Sequence, residues 1–357
     1  MSSNYDMELF DMEENLNDES VPQMHQTMNV PGGNAQSDYV PPMGGRKTEP
    51  KYEEPERRRS SSPTYDYLNP PEGSFRPSSQ RSVAITCPKG GVGKSSTAKE
   101  LGYAFASEVY DSENGTPLKV LLVDADWGHP SLTSILNVGG GQHKISDWIK
   151  TMIRNINATG RPGMFSSRYI DDFIVKIKPN LHLLTLTRDT MDSNMLTPEM
   201  VRAITQSISC TDYDLVIYDN RNEIEGDDRS LAVCDAVDMI FMLVTSDTTT
   251  LQNINNTLAS LDSLQYDIRR IHFVQNAVDP KAKNILPRDI ENHYGVQLVT
   301  EIPKCDEMTE INNESKALVN EKPNGDYSKA IFELANYILP APVKIKKGLF
   351  AGLFGRR

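Results

Sequence analysis

A chain of 357 residues has room for one or two domains of ordinary size, but its first 80 or so lack the apolar density to build a core. The formal net charge of −12 is uneven: residues 1–45 hold eight acids and no Lys or Arg, 343–357 hold five bases and no acid, and 82–342 alone sum to −11. An acidic central region argues against a surface that coats DNA at large. The four cysteines (Cys87, Cys210, Cys234 and Cys305) form no C-x-x-C pair, which argues against zinc, iron–sulfur and dithiol frameworks and favours reduced thiols in the cytosol.

Residues 1–80 are rich in Ser, Pro, Asn, Glu and Met and read as a disordered extension. Within them Tyr5, Leu9, Phe10, Met12 and Leu16 alternate with Asp6, Glu8, Asp11, Glu13 and Glu14, either a solvated acidic tail or a segment that folds onto a basic groove of a protein client. Arg57, Arg58 and Arg59 precede three serines, as a charged linker or an anion site. No run of 18 apolar residues occurs, and the chain starts polar and acidic, so neither a membrane span nor an export signal is expected.

After Arg81 short β-branched runs alternate with helical patterns, the signature of repeated βα units. Strands are expected at 82–86, 120–123, 181–186, 215–218, 239–244, 271–275 and 297–302. Helices are expected at 94–109, 146–156, 198–208, 250–264, 287–294 and 327–339. The fold class is α/β, a mostly parallel sheet with helices on both faces, spanning 81–340 as one domain.

The run Cys87-Pro88-Lys89-Gly90-Gly91-Val92-Gly93-Lys94-Ser95-Ser96 follows the first strand and opens the first helix. Its glycines let backbone amides, together with Val92 N–H, wrap the β- and γ-phosphates of a nucleotide, and the helix N-terminus adds positive potential. Lys94 reaches the terminal phosphates, the Ser95 hydroxyl is placed for Mg²⁺, and Ser96 supports the loop. Tyr213–Asp219 is an apolar strand ending in a carboxylate, and Asp219 is a candidate to hold the Mg²⁺ through water. Asp124-Ala125-Asp126 likewise closes a strand.

Pro88 stands where the ordinary phosphate loop begins with glycine, and Lys89 precedes the glycine pair. The loop thereby resembles the deviant K-G-G-x-G-K-[ST] loop of the MinD/ParA family, and the resemblance extends over 82–339. It implies an ATP/ADP- and Mg²⁺-binding, slow, partner-stimulated ATPase that dimerises with ATP. Lys89 would reach the phosphates of the partner subunit's nucleotide. Asp126 would position the attacking water, Asp124 would assist Mg²⁺, and Asn276 and Pro303 would border the adenine. Two departures stand out: Asn220-Arg221-Asn222-Glu223 replaces a small residue, proline and glycine, and Cys305 replaces an aspartate.

In the tail, Ile345, Leu349, Phe350, Leu353 and Phe354 fall on one helical face, flanked by Lys344, Lys346, Lys347, Arg356 and Arg357. The pattern fits an amphipathic anchor on an anionic membrane or a basic protein-docking tail, and it is similar to the membrane-targeting tail of MinD-type proteins. One such tail binds marginally, and two on a dimer bind by avidity. The expected role is a positioning ATPase on the cytoplasmic face of the membrane, serving a division site, pilus, flagellum or conjugation apparatus. The alternative is a ParA-type ATPase that partitions DNA.

Overall fold

The aliphatic runs form the strands of one sheet, because residues pointing alternately to its two faces meet helices on each side. The computed structural model describes residues 76–110, 115–127, 129–138, 145–185, 194–221, 226–279, 281, 285 and 287–339, and the backbone of 344–345. The acidic N-terminal segment, the Arg57, Arg58 and Arg59 run and the tail beyond residue 345 lie outside the described residues.

Eight strands assemble in the order β4-β5-β3-β6-β1-β7-β8-β9. They are β1 (Arg81–Thr86), β3 (Val120–Ala125), β4 (Val175–Lys178), β5 (Leu181–Thr185), β6 (Leu215–Asn220), β7 (Met239–Val244), β8 (Ile271–Val278) and β9 (Leu298–Pro303). Every neighbouring pair runs parallel except β4 and β5. Period-two alternation divides the side chains between two cores. Val83, Ile85, Leu122 and Ile217 pack with α1 (Lys94–Ser107) and the helix Asp326–Ile338. Ala84, Leu121, Val216 and Tyr218 pack with the helices Ile145–Thr159, Pro198–Ser209, Asp228–Ala236 and Thr248–Ser263.

The structure departs from expectation at several places. The first helix stops at Ser107, and Val109–Tyr110 becomes a short strand, β2, paired antiparallel with β10 (Lys344–Ile345). Ile345 therefore lies in an extended pair and not on a helical face. The antiparallel strand β4 was not expected, because Val-Lys-Ile-Lys is half-buried and offers no apolar run. Its lysines suit an edge strand, where charge discourages further pairing. The helix Asp228–Ala236 was also not expected, its apolar residues showing little helical periodicity.

The chain is attached to the domain before Arg81: Arg76 pairs with Asp238, and Gln80 Nε2 donates to the carbonyls of Thr211 and Tyr213, each at 3.1 Å. No helix among the described residues is long and apolar enough to cross a membrane.

Candidate phosphate-binding site

Strand β6 lies between β1 and β3, where the chain order reverses, and such a switch point opens a crevice at the C-terminal strand ends. The register sets Asp219 beside Ile85 on one side and beside Asp124 on the other. The loop from Cys87 to Gly93 thus starts next to Asp219, with Asp124 one strand beyond it.

Local geometry explains the glycines. Gly91 and Gly93 have φ of 75° and 91°, a region glycine enters without penalty. Gly93 caps α1 with no side-chain hydrogen bond, so the first-turn amides remain uncapped and suited to an anion. A Cβ at Gly93 would sit 2.5 Å from Asn276 Nδ2. Asn276, inside β8 and not at its end, donates that Nδ2 to the Val92 carbonyl at 2.6 Å. It therefore buttresses the loop from beneath. Pro303 ends β9 in register with Val278, two residues after Asn276 on the neighbouring strand.

A cleft of about 430 Å³ opens above the loop. Gly90, Gly91, Gly93, Lys94, Ser95 and Ser96 form one wall, and Asp126, His129 and Ser131 the other. His129 and Ser131 were not singled out from the sequence, although their places three and five residues after Asp126 were the available signal. Asp126 Oδ1 accepts from His129 N at 3.2 Å, which fixes that loop as a turn.

Asp124 and Asp219 are buried behind the cleft. Asp124 Oδ2 accepts from Thr133 N at 3.0 Å and Thr133 Oγ1 at 3.2 Å, whereas its Oδ1 and both oxygens of Asp219 are buried without a hydrogen-bond partner. Burial raises the pKa of both, and the Asp219 charge raises that of Asp124 further. The Ser95 hydroxyl, which approaches Asp219 without completing a hydrogen bond, and the Lys94 ammonium act in the opposite direction on Asp219. Unpartnered oxygen acceptors beside a serine hydroxyl fit a hydrated Mg²⁺, which prefers oxygen ligands and keeps several waters. Ser95 would hold it directly and Asp219 through water. Asp124, half occupied by Thr133, fits a supporting place.

Lys89 does not line this cleft. Its Nζ lies 2.9 Å from Asp247 Oδ1, with the two side chains 35% and 42% exposed. Asp247 caps the helix Thr248–Ser263, accepting from Thr250 N at 2.9 Å. Although burial pushes its carboxyl up, hydrogen bonds from Thr245, Lys89 and Thr250 hold it well below the usual carboxylate range.

Residues 83–319 match the model of the CobQ/CobB/MinD/ParA nucleotide binding domain. The chain belongs to this family. Among its MinD/ParA relatives, the septum site-determining protein MinD of Thermotoga maritima is 24% identical over 237 residues, covering 65% of this chain and 78% of the relative. A ParA family ATPase from Chlorobium tepidum superposes with a TM-score of 0.61 at 20% identity, covering 72% of this chain and 99% of that one. MinD from Pyrococcus horikoshii, solved with Mg-ADP, gives 0.57 at 18% identity over 72% and 96%. The MinD/ParA fold thus accounts for the sheet, and family membership carries nucleotide binding and, in general, ATPase activity.

Proposed function

We propose that this MinD/ParA protein is an Mg²⁺-dependent ATPase switch that dimerises with ATP and cycles on and off the cytoplasmic face of an anionic membrane, positioning a cellular machine. The observation that carries the reading is the place of Lys89: it stands beside the cleft yet turns out of it, onto Asp247. A half-exposed ion pair of this kind is worth only about 0–1 kcal/mol. The lysine can therefore leave Asp247 at little cost when a second nucleotide's phosphates approach from a partner subunit. Lys94, Ser95 and the glycine amides would serve the subunit's own nucleotide, and a cation from across the interface would favour the dimer only while the γ-phosphate is present.

In the closed site Asp126, on the wall facing the loop, would orient the attacking water, and Mg²⁺ would neutralise charge on the phosphates. Asn276 and Pro303 would border the base. The similarity to MinD relatives favours a positioning role, with Lys346, Lys347, Leu349, Phe350, Leu353 and Phe354 as the membrane-binding residues and the acidic N-terminal segment as the arm for a protein client.

Light scattering on the full chain tests the central step. Lys89→Ala should bind ATP with wild-type affinity but remain monomeric where wild type dimerises. Dimerisation of the variant at wild-type nucleotide concentrations would overturn the assignment.

A further inference from the structure

The residue after Asp126 points away from the cleft. Trp127 is buried, and its indole Nε1 donates to Asp227 Oδ2 at 3.0 Å, 100 residues further along the chain. Asp227 caps the helix Asp228–Ala236 by accepting from Arg229 N at 3.0 Å. It also receives the Arg229 guanidinium, from Nε at 2.9 Å and from Nη2 at 2.8 Å. That guanidinium lies 5.2 Å from the Trp127 ring centroid, within cation–π reach. Indole, carboxylate and guanidinium therefore close a three-way clasp.

The clasp joins the two segments that carry the carboxylates. One is the loop after β3, where Asp126, His129 and Ser131 line the cleft and Trp127 is rooted in the core. The other leaves β6 just past Asp219, and here the chain lacks the proline and glycine that stiffen this turn in the family pattern. Asn220 and Asp227, on either side of it, are both held. Asn220 Nδ2 donates to Ser230 O at 3.2 Å and lies 3.3 Å from Cys234 Sγ, while Asp227 is held by Trp127.

We propose that Trp127, Asp227 and Arg229 are positioning residues for hydrolysis, fixing the water-orienting loop against the N-terminus of the helix Asp228–Ala236. This rests on the reading of Asp126 given above. Catalysis by orientation is lost steeply with misplacement, about 100-fold for 1 Å, and a charge-assisted hydrogen bond fixes direction as well as distance.

The test is steady-state ATP hydrolysis by the full chain with Mg²⁺. Trp127→Phe keeps an aromatic ring but removes the indole N–H together with part of the buried ring, so thermal unfolding of the variant is measured alongside. The substitution should lower kcat about tenfold with KM for ATP within twofold of wild type. Asp227→Ala, which also removes the helix cap and the arginine partners, should lower kcat at least as far, and the double variant should be no slower than Asp227→Ala alone, because the indole bond is already lost there. Asp227→Asn keeps one acceptor oxygen, enough for either the indole N–H that now meets Oδ2 or the Arg229 N–H that meets Oδ1 but not for both, and should recover part of the rate. In a Trp148→Phe background the emission of Trp127 should change on adding ATP, and Asp227→Ala should abolish that change. Wild-type kcat in Trp127→Phe, or multiplicative losses in the double variant, would overturn the clasp. If wild type and Asp126→Ala hydrolyse ATP equally, the reading of Asp126 falls instead. The clasp is then judged on the emission change, whose persistence in Asp227→Ala would reject it.

Discussion

Asp124 and Asp219 stand side by side on adjacent strands, buried and short of partners. Both have raised folded-state pKa values, chiefly through burial. The folded protein then keeps protons that the unfolded chain releases above about pH 4. Stability of the nucleotide-free protein should accordingly be greatest below that pH range and fall as pH rises through the raised folded values, by about 1.4 kcal/mol per pH unit and group. Thermal unfolding of wild type and Asp219→Asn across this range should show a steeper decline for wild type; equal slopes would contradict the account. Bound Mg²⁺ should offset the decline, because a cation favours the ionised carboxylates. The phosphate loop itself was legible because its glycines, lysines and serines are contiguous. The contacts that set its state were not: Asn276 meets Val92 across 184 residues and Lys89 meets Asp247 across 158, and no spacing rule reaches that far.

Among the elements, α1 carries two buried charges that sequence reading passes over as ordinary helix residues. Lys99 and Glu100 are fully buried, 3.1 Å apart. Lys99 Nζ donates to Asn312 Oδ1 and to the Lys316 carbonyl, both at 2.6 Å. Glu100 accepts from Leu318 N and Val319 N, both at 2.9 Å. The first helix thus holds the segment between β9 and the last helix, and Asn312 Nδ2 donates in turn to Ser96 Oγ at 3.0 Å, on the wall of the cleft. Glu100→Ala would leave two buried amides without their acceptor and the Lys99 ammonium without its counter-charge, and should cost about 3–5 kcal/mol. Denaturant unfolding is the measurement, and Glu100→Gln, which still offers one acceptor oxygen, should lose less. The seven parallel strands were readable because each contains a β-branched or aliphatic run, buried on both faces in the middle of the sheet and interrupted by the exposed Glu301 only in the edge strand β9. The edge strand β4 and the helix Asp228–Ala236 were not, because burial there comes from neighbours and not from a pattern within the segment.

At the scale of the whole molecule, membrane attachment through the tail is tested by removing residues 346–357, which leaves the pairing of β10 with β2 in place. Sedimentation with anionic liposomes in the presence of ATP should fall at least tenfold, because the proposed dimer owes its grip to two weak tails acting together. Undiminished sedimentation would reject the anchoring role, and salt-sensitive, ATP-dependent binding to random duplex DNA would favour the partitioning alternative instead.

The pairing of Lys344–Ile345 with Val109–Tyr110 has a mechanical side. Fourteen residues of helix form a strut of about 21 Å, with the phosphate loop at its head and, two residues past its foot, the strand that grips the C-terminal chain. Whatever seizes the chain beyond Ile345 would pull on the same helix whose N-terminus faces the proposed phosphate site, so load at one end and occupancy at the other would be felt through a single lever.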